Sequence, residues 1–426
     1  MARHRLLEAL TRHDPAEIDR VFGDEFAGDS IHPGHAGASV KRVALVTESF
    51  LPKVDGVSKS AFLTLRYLQM TGREVMIFAP DIAPSSLCGA PIMPLPSFAL
   101  PAAPETRIAL PSFHIGAAFD RFKPDVVHCF SPALMSVSAI AAARLRRIPV
   151  VTNYQTDLPA YAPYYGLGFM TGAAKIALRL MHNAAHLTLA PSPFTLRQLR
   201  QQGFHRLRLW RRGVNLTRFH PDRHSADWRS RLLAGRDPGS LVCLYVGRLA
   251  QEKRVDLLLE VARTPGVALA VIGDGPARPE LEATFAGTGT TFSGYLYGDD
   301  LAAAYASADV FLFPGPTETF GQVVQEAMAS GLPAIVTEQG GVADLVRAGE
   351  TGFHAAMSPA AFAGAVIRLR DDWSLRNRMG AAARRAAEPF PWSAVMAQLE
   401  GYYREALRLN ERVQRSRSGL NTEAQG

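Results

Sequence analysis

The arrangement of apolar segments most constrains the fold of this chain. From residue 42 onward, short apolar runs are each followed by a helical pattern, and this rhythm occurs twice, before and after a polar stretch at 211–240. The first set includes "RVALVT" and "VVHCF", and the second includes "LVCLYVG", "VALAVIG" and "DVFLFPG". Apolar runs that do not alternate with polar residues are typical of parallel strands covered by helices on both faces. The sequence therefore predicts an α/β protein with two doubly wound, Rossmann-like domains that face each other across a cleft.

The length of the chain agrees with two domains, because 426 residues exceed what one compact domain usually holds. We predict the domains over 41–212 and 213–390, a closing helix over 391–412 and a polar tail over 413–426. The first 39 residues hold four Arg against seven Asp and Glu, although the whole chain carries a net charge of +7. Such an offset favours an appended segment, so residues 1–40 are predicted to be a flexible extension with no assigned function.

Composition limits the classes of function. The net charge of +7 and a pI near 9.4 suit a protein that binds anions, although an arginine-rich composition explains them equally well. Three cysteines, an odd and sparse count, favour a reducing cytoplasm over a disulfide framework. We find neither a signal peptide nor an apolar run of about 20 residues that would span a membrane. The chain also lacks CxxC pairs, HExxH, GxSxG and GxxxxGK[ST], so we predict no metal and no cofactor.

The stretch "PTETFGQVVQEAMASG" at 316–331 follows a predicted buried strand and leads into a helix. The helix start at Phe320 and Gly321 offers backbone N–H groups to an anion such as a phosphate. Glu326, deeper in that helix, has the chemistry to accept hydrogen bonds from a ribose diol. Glu318 precedes the helix and can reach a sugar beyond the phosphates. One nucleotide-sugar would explain both glutamates, whereas the alternative is two solvated surface side chains.

Two further loops of the second half also follow strands. In "VGRLAQEKRVD", Arg248 and Lys253 flank a turn and are suited to clamp a diphosphate and to neutralise charge on a leaving diphosphate. In "VIGDGP", Gly273 permits a tight turn near the donor. As a dinucleotide fingerprint this motif is weak, because the third glycine is missing, and a plain strand-to-helix turn remains the alternative.

The first half contributes two candidate loops. Gly56 opens the first helix of "TESFLPKVDGVSKS", and this helix start is suited to the same diphosphate or to the acceptor. The loop "NYQTDLPAYAPYYG" combines aromatic and polar side chains, as a sugar-binding surface requires, although a packed, proline-rich loop is the alternative. We predict acceptor contacts there from Tyr154, Gln155 and Tyr161, and a site role for Asp157.

Five collinear motifs together resemble the retaining glycosyltransferases of family 4, which have the GT-B fold. They are "ESFLPKVDGVSKS", "GRLAQEK", "VIGDGP", "PTETFGQVVQEAMASGLP" and "GGVADLV", and the resemblance covers about residues 41–400. Within the family, the chain looks most like bacterial GDP-mannose-dependent α-mannosyltransferases that act on glycolipids, with the sulfoquinovosyl-diacylglycerol synthases as cousins. Many members have a histidine where this chain has Gln155, so no histidine role is carried over.

The resemblance implies a mechanism without a metal or an enzymic nucleophile. The donor diphosphate would lie on Arg248, Lys253 and the N–H groups of Phe320 and Gly321. Glu326 would hold the ribose, and Glu318 would bind the donor sugar near the reaction centre. Gly56 and Asp157 would help to position donor and acceptor, and attack from the front face would retain the anomeric configuration.

The acceptor side suggests a membrane surface. The helical segment "GFMTGAAKIALRLMHNAA" has Phe169, Ile176, Leu180 and Met181 available to one side, among many basic residues between 168 and 212. We predict a lipid or glycolipid acceptor and peripheral contact with anionic lipid on the inner face of the cell membrane. In the alternative, these apolar side chains face the core. The same fold is also compatible with three alternatives: a transferase that uses a UDP-sugar, a transferase with a soluble acceptor, and a non-catalytic scaffold. Nucleic-acid binding has no motif to support it.

Overall fold

The computed structural model describes residues 25–31, 39–50, 56–100, 103–130, 132–155 and 171–423. The first of its two large sheets has the strand order β10-β9-β8-β7-β1-β2-β4-β3. Its strands are β1 (Arg42–Thr47), β2 (Glu74–Pro80), β3 (Ser86–Leu87), β4 (Ala90–Leu95), β7 (Val126–Phe130), β8 (Val150–Asn153), β9 (Leu187–Ala190) and β10 (Leu207–Leu209). Neighbouring strands are parallel except β3 and β4. A separate antiparallel ribbon pairs β5 (Ser97–Leu100) with β6 (Ala103–Ala109).

The second sheet is parallel throughout, in the order β13-β12-β11-β14-β15-β16. Its strands are β11 (Leu241–Val246), β12 (Val267–Ile272), β13 (Thr291–Phe292), β14 (Val310–Phe313), β15 (Ala334–Thr337) and β16 (Gly352–Ala355). This is the 3-2-1-4-5-6 order of a doubly wound dinucleotide-binding sheet, in which the direction of progression reverses between the first and fourth strands. Ligands bind at that reversal, which here lies between β11 and β14.

Helices cover both sheets. The first domain contains α1 (Gly56–Met70), α2 (His114–Phe122), α3 (Leu134–Leu145), α4 (Thr171–Ala184) and α5 (Pro193–Gln201). The second contains α6 (Ala226–Leu233), α7 (Leu259–Arg263), α8 (Arg278–Thr284), α9 (Gly298–Ala306), α10 (Gln322–Ala329), α11 (Pro359–Asp371) and α12 (Trp373–Ala387), with 3-10 turns at Pro221–Arg223, Gln251–Lys253 and Val255–Leu258. The last helix is α13 (Trp392–Glu423). Two doubly wound domains are thus confirmed.

The central strands are fully buried, which explains their continuous apolar sequences. The burial pattern is unbroken over β7, β8 and β9 in the first domain and over β11, β12 and β14 in the second. Because helices lie on both faces of each sheet, each strand buries side chains in both directions. The proline-rich stretch 80–112 contains β3 and β4, which complete one edge of the first sheet, and the separate ribbon of β5 and β6.

The two ends of the chain differ from the sequence prediction. The final helix α13 continues to Glu423, through most of the predicted polar tail. It packs on the first domain, where the Tyr403 hydroxyl lies 2.7 Å from Nδ1 of the buried His128. Within the predicted extension, Phe26 is buried in the same apolar core cluster as Tyr403. Residues 25–31 are therefore part of the fold. Burial of the apolar Phe26 ring stabilises their position on the first domain.

Candidate active site

The reversal point of the second sheet brings two predicted loops together. The loop after β11 carries Arg248 and Lys253, and the loop after β14 carries Glu318. Since β11 and β14 are hydrogen-bonded neighbours, both loops leave the same edge of the sheet side by side. Residues that lie about 65 positions apart in the sequence are therefore placed at one site.

Lys253 and Glu318 form a direct ion pair between these loops. Lys253 is buried, and its ammonium also lies 6.0 Å from the centre of the Phe313 ring. Burial raises the pKa of Glu318, but the adjacent Lys253 ammonium, together with Arg212 and Arg248, lowers that pKa below its usual value. Glu318 is thus held ionised beside a cation.

Arg248 is held by a residue that the sequence did not single out. Its guanidinium donates to Glu252 Oε1 at 2.5 Å, and Glu252 is itself buried. The only indication in the sequence was that Glu252 lies four positions after Arg248, a spacing that pairs two side chains on a regular helix. Glu252 thereby holds the guanidinium in place, while the Arg248 side chain as a whole stays partly exposed.

The helix α10 begins as predicted for an anion site. Gly321 is its N-cap residue with a φ of 95°, and among the described residues no side chain caps this helix start. A Cβ at Gly321 would lie 2.5 Å from Val342 Cγ1, so glycine is required by both the backbone and the close packing. Phe320 is buried beneath the turn. The first N–H groups of α10 therefore have no side-chain acceptor in the described structure, and they lie at the positive end of the helix dipole.

Glu326 lies one turn into α10 and is only 5% exposed. The Tyr305 hydroxyl donates to Glu326 Oε2 at 3.3 Å, and Lys59 of the first domain approaches Oε1 to 3.7 Å. Burial raises the pKa of Glu326 to about 7, although the nearby Lys59 ammonium acts in the opposite direction. A carboxylate held in this way retains acceptor capacity on Oε1 for a hydroxyl group.

Gly273 has a structural position rather than a ligand-facing one. Its φ is 138°, and a Cβ there would lie 1.9 Å from the carbonyl oxygen of Gly247. Its N–H donates to the Gly294 carbonyl at 2.8 Å. The glycine therefore allows the loops after β11 and β12 to touch, and its predicted contact with the donor stays a prediction.

The first domain contributes Gly56 and Gln155 to the facing side of the cleft. The Gly56 carbonyl accepts a hydrogen bond of 2.5 Å from Arg212, so this helix start is tied to the domain connection. The Gln155 side chain donates to Ser60 Oγ at 3.1 Å, while its backbone carbonyl accepts from Thr319 Oγ1 of the Glu318 loop at 2.7 Å. Gln155 thus joins the two halves of the site.

Tyr154 does not face an acceptor, contrary to the prediction. Its side chain is buried in an apolar cluster and packs against His182 and Phe204, with ring centroids 5.6 and 5.9 Å away. The reason is strand geometry: Tyr154 directly follows β8, so its side chain continues the alternation of directions and points between helices α4 and α5. Asp157 and Tyr161 lie outside the described residues, and their predicted roles stay predictions.

The cleft is closed in this structure by hydrogen bonds between the two domains. Thr195 Oγ1 donates to the Thr319 carbonyl at 3.1 Å. Gln322 Nε2 donates at 2.9 Å to the carbonyl of Gly213, in the connection between the domains. Asp344 accepts the backbone N–H of Phe194 and the guanidinium of Arg197. Thr319 and Gln322 lie at the start of α10, and Asp344 lies in the loop after β15, so the predicted anion site lies beside the contacts between the domains.

Glu48, at the end of β1 in the first domain, is a buried acid to which the sequence assigned no role. Its Oε1 accepts the backbone N–H groups of Ala133 and Ser136 at 2.8 and 3.2 Å, and so caps the start of α3. Burial raises the pKa of Glu48 to about 7, and the backbone hydrogen bonds offset only part of this effect.

Glu48→Gln is expected to stabilise the protein at high pH. Because the pKa of Glu48 is higher in the folded state than in the unfolded state, protonation of Glu48 favours folding. This contribution is complete below the unfolded-state pKa near 4.5 and is lost as the pH rises through about 7. A neutral amide avoids this loss and can still cap α3, so the gain should approach about 3 kcal/mol at pH 8 and vanish near pH 4. Urea unfolding of both proteins at the two pH values tests this, and an equal difference at both would contradict it.

The structure places no three His, Cys, Asp or Glu side chains in a metal-binding group within its described ranges. The candidate site combines Arg248 and Lys253 with the acids Glu318 and Glu326 and the start of α10. Such a set matches a ligand with a negatively charged centre and hydroxyl groups on either side.

Comparisons with known proteins agree with this geometry. The family described as "Glycosyltransferase Family 4" matches residues 54–218, and the family described as "Glycosyl transferases group 1" matches residues 231–386. A GDP-mannose-dependent alpha-mannosyltransferase of Mycobacterium tuberculosis is 40% identical over 375 residues, which span 86% of this chain and 97% of that protein. A sulfoquinovosyl transferase of Arabidopsis thaliana is 36% identical over 372 residues, or 84% of this chain and 72% of the relative.

Solved structures show the same fold at lower identity. The sucrose-phosphate synthase of Thermosynechococcus elongatus superposes with a TM-score of 0.69 and is 22% identical, over 86% of this chain and 98% of the other. At that identity the likeness concerns the arrangement of the two domains, which is the one described above.

Proposed function

The chain belongs to glycosyltransferase family 4 and has the GT-B fold, and from this premise we propose that it transfers mannose from GDP-mannose to a lipid-linked acceptor with retention of configuration. The observation that carries the proposal is the Lys253–Glu318 pair at the reversal point of the second sheet, next to the uncapped start of α10. A cation for a diphosphate and an acid for sugar hydroxyls meet there.

The donor would bind with its diphosphate against Lys253, Arg248 and the N–H groups at the start of α10. Arg248 presents a planar fork for two phosphate oxygens, and Lys253 is a compact charge. Glu326 would accept hydrogen bonds from the ribose hydroxyls at the deeper end of the site. Glu318, on the opposite side of the phosphates, would accept hydrogen bonds from the hexose.

The transfer step needs no group from the enzyme as nucleophile. The bond between the anomeric carbon and the phosphate oxygen breaks, and the acceptor oxygen forms its bond to the same face of that carbon. The acceptor proton passes to the leaving diphosphate. Lys253 and Arg248 stabilise the charge that develops on this leaving group, which is where fixed cations lower a barrier most.

Closure of the cleft protects the donor from water. The bond from Thr319 to Gln155 joins the two domains, and the bond from Gln322 to Gly213 ties the start of α10 to the connection between them. A donor bound between these contacts would be shielded from hydrolysis, and opening them would admit substrate and release product.

The acceptor side has an exposed apolar stripe on α4. Ile176 is 53% exposed and Leu180 is 64% exposed, and Ala173 and Ala177 continue the same face at helical spacing. Leu178 and His182 on the opposite face are buried. The sequence alternative, in which these apolar positions all face the core, is therefore wrong for Ile176 and Leu180 and holds partly for Met181, which packs against the core. Phe169 lies outside the described residues.

We propose that this stripe rests on an anionic lipid surface. The exposed Lys175 lies on α4 itself, and Arg200 is exposed on the neighbouring α5. Other basic residues are used internally, since Arg208 pairs with Glu405 and Arg197 with Asp344. In the part of the chain that the structure describes, no helix is both long and apolar enough to cross a bilayer. Contact would therefore be peripheral, with apolar side chains inserted shallowly beside a few charges.

The donor assignment is tested by ligand-induced stabilisation. GDP-mannose at 100 times its dissociation constant should add about 2.7 kcal/mol to the free energy of unfolding, whereas UDP-glucose, UDP-galactose and UDP-sulfoquinovose should add little. Thermal unfolding of the full chain with each sugar nucleotide measures this. A shift with a UDP-sugar alone would favour the second candidate, a transferase of the kind represented by the Arabidopsis relative. No shift with any donor would refute the site.

A further inference from the structure

The N-terminal segment contributes a buried acid to the donor site. Glu25, only 3% exposed, accepts from the Lys59 ammonium at 2.9 Å and lies 3.4 Å from the Arg218 guanidinium. On its other side, the Lys59 ammonium is 3.7 Å from Glu326 Oε1. Four charges of alternating sign thus form a row from Arg218 through Glu25 and Lys59 to the acid that would hold the ribose.

The segment 25–31 is attached at three places. Phe26 packs against Tyr67 of α1 with ring centroids 6.2 Å apart. The Ala27 carbonyl accepts from Thr217 Oγ1 at 3.1 Å, and the Asp29 carboxylate accepts the backbone N–H of Ser393 at 2.8 Å. These contacts reach the first domain, the domain connection and the start of α13.

The distances show which acid holds Lys59. At 2.9 Å the pair with Glu25 is within hydrogen-bond range, whereas the 3.7 Å separation from Glu326 is not. In a buried site an ammonium pairs with the nearest carboxylate, because desolvation makes an unpaired charge costly. Without a charge on Glu25, the closest carboxylate to Lys59 in the described structure would be Glu326.

We propose that Glu25 is a positioning residue of the donor site, which holds Lys59 away from Glu326 and so leaves Glu326 Oε1 able to accept a ribose hydroxyl. This inference rests on the proposed function, since it takes Glu326 as the ribose-binding acid. Arg218 balances the second negative charge, so the two carboxylates can lie in one buried site without an excess of like charge.

A different role would make the opposite prediction. If the segment 25–31 acted as a cover that competes with the donor, removing the charge of Glu25 would strengthen nucleotide binding. In the proposed role it weakens binding, because Lys59 then pairs with Glu326 and occupies the ribose acceptor. The sign of the change in affinity separates the two roles.

The test is a double-mutant cycle in the full-length chain, with GDP as the probe and UDP in its place if the donor comparison selects uridine. Calorimetry gives the dissociation constant for wild type, Glu25→Gln, Lys59→Met and the double variant. We expect Glu25→Gln to weaken nucleotide binding about tenfold in wild type and to have no effect in the Lys59→Met background. Asp29→Ala, which removes the acceptor of the Ser393 N–H in the same segment, is the control and should bind nucleotide as wild type does.

Each outcome has one meaning. Equal weakening by Glu25→Gln in both backgrounds would assign Glu25 a merely structural role, and tighter or unchanged binding would also overturn the proposal. Glu326→Gln separates this inference from the proposed function. If wild type binds no nucleotide, or if Glu326→Gln binds it unchanged, the donor site itself is refuted. If Glu326→Gln weakens binding and Glu25→Gln does not, only the positioning role of Glu25 fails.

Discussion

Lys253→Met is expected to lower kcat/KM for the sugar-nucleotide donor by about a thousandfold. The methionine side chain has a similar length and fits a buried position, so the main loss is the ammonium beside the leaving diphosphate. Removing one fixed group that stabilises developing charge typically costs between a hundredfold and a thousandfold in rate, and here ground-state binding of the diphosphate is lost as well. Release of nucleoside diphosphate in the presence of a lipid extract measures the effect.

The same substitution should change the charge state of Glu318. Burial raises the pKa of this acid, and the Lys253 ammonium is the main group that lowers it. Without that ammonium, the pKa of Glu318 should be higher than in wild type. As the pH is lowered, Glu318 should therefore become protonated, and the residual activity should be lost, at a higher pH than in wild type. Arg263→Met, an exposed position in the same domain, is the control and should retain full activity. Activity of Lys253→Met within tenfold of wild type would contradict its assignment to the leaving group.

The double variant Ile176→Glu and Leu180→Glu is expected to lose binding to anionic vesicles by about a hundredfold or more. Each side chain contributes up to about 1.5–3 kcal/mol when it leaves water, and the new carboxylates are repelled by the lipid headgroups. Both positions are exposed, so the folded state should be unaffected, and thermal unfolding checks this. Co-sedimentation with vesicles of phosphatidylcholine and phosphatidylglycerol, at low and at high salt, measures the binding.

The control for this effect is Trp373→Glu. Trp373 is 67% exposed on α12 in the second domain. The substitution therefore removes a large apolar side chain from a surface that does not contact lipid in the proposal. Vesicle binding should stay unchanged in this variant. Equal loss in both variants, or binding of the double variant as tight as that of wild type, would show that the α4 stripe is not the lipid contact.

The sequence by itself determined the parts of the site that depend on local pattern. The buried runs "LVCLYV" and "VFLF" identify β11 and β14, and parallel strands place the residues that follow them at one edge of the sheet. Arg248, Lys253, Glu318 and Gly321 were found in this way. The structure places all four in loops at that edge, because a strand that is buried on both faces leaves its loop as the first place where polar side chains can meet a ligand. Their roles in binding stay predictions.

The tertiary structure alone decided which of these groups touch and which side chains point inward. The pairing of Lys253 with Glu318 depends on strand order, which a one-dimensional pattern does not contain. Tyr154 looked like an acceptor contact but continues the direction of β8 into the core. Glu25 lay in a segment whose composition predicted separation from the fold, yet its carboxylate lies between Lys59 and Arg218. A buried ion pair joins residues far apart in the chain, and only the packing of the segments that carry them brings its two charges together.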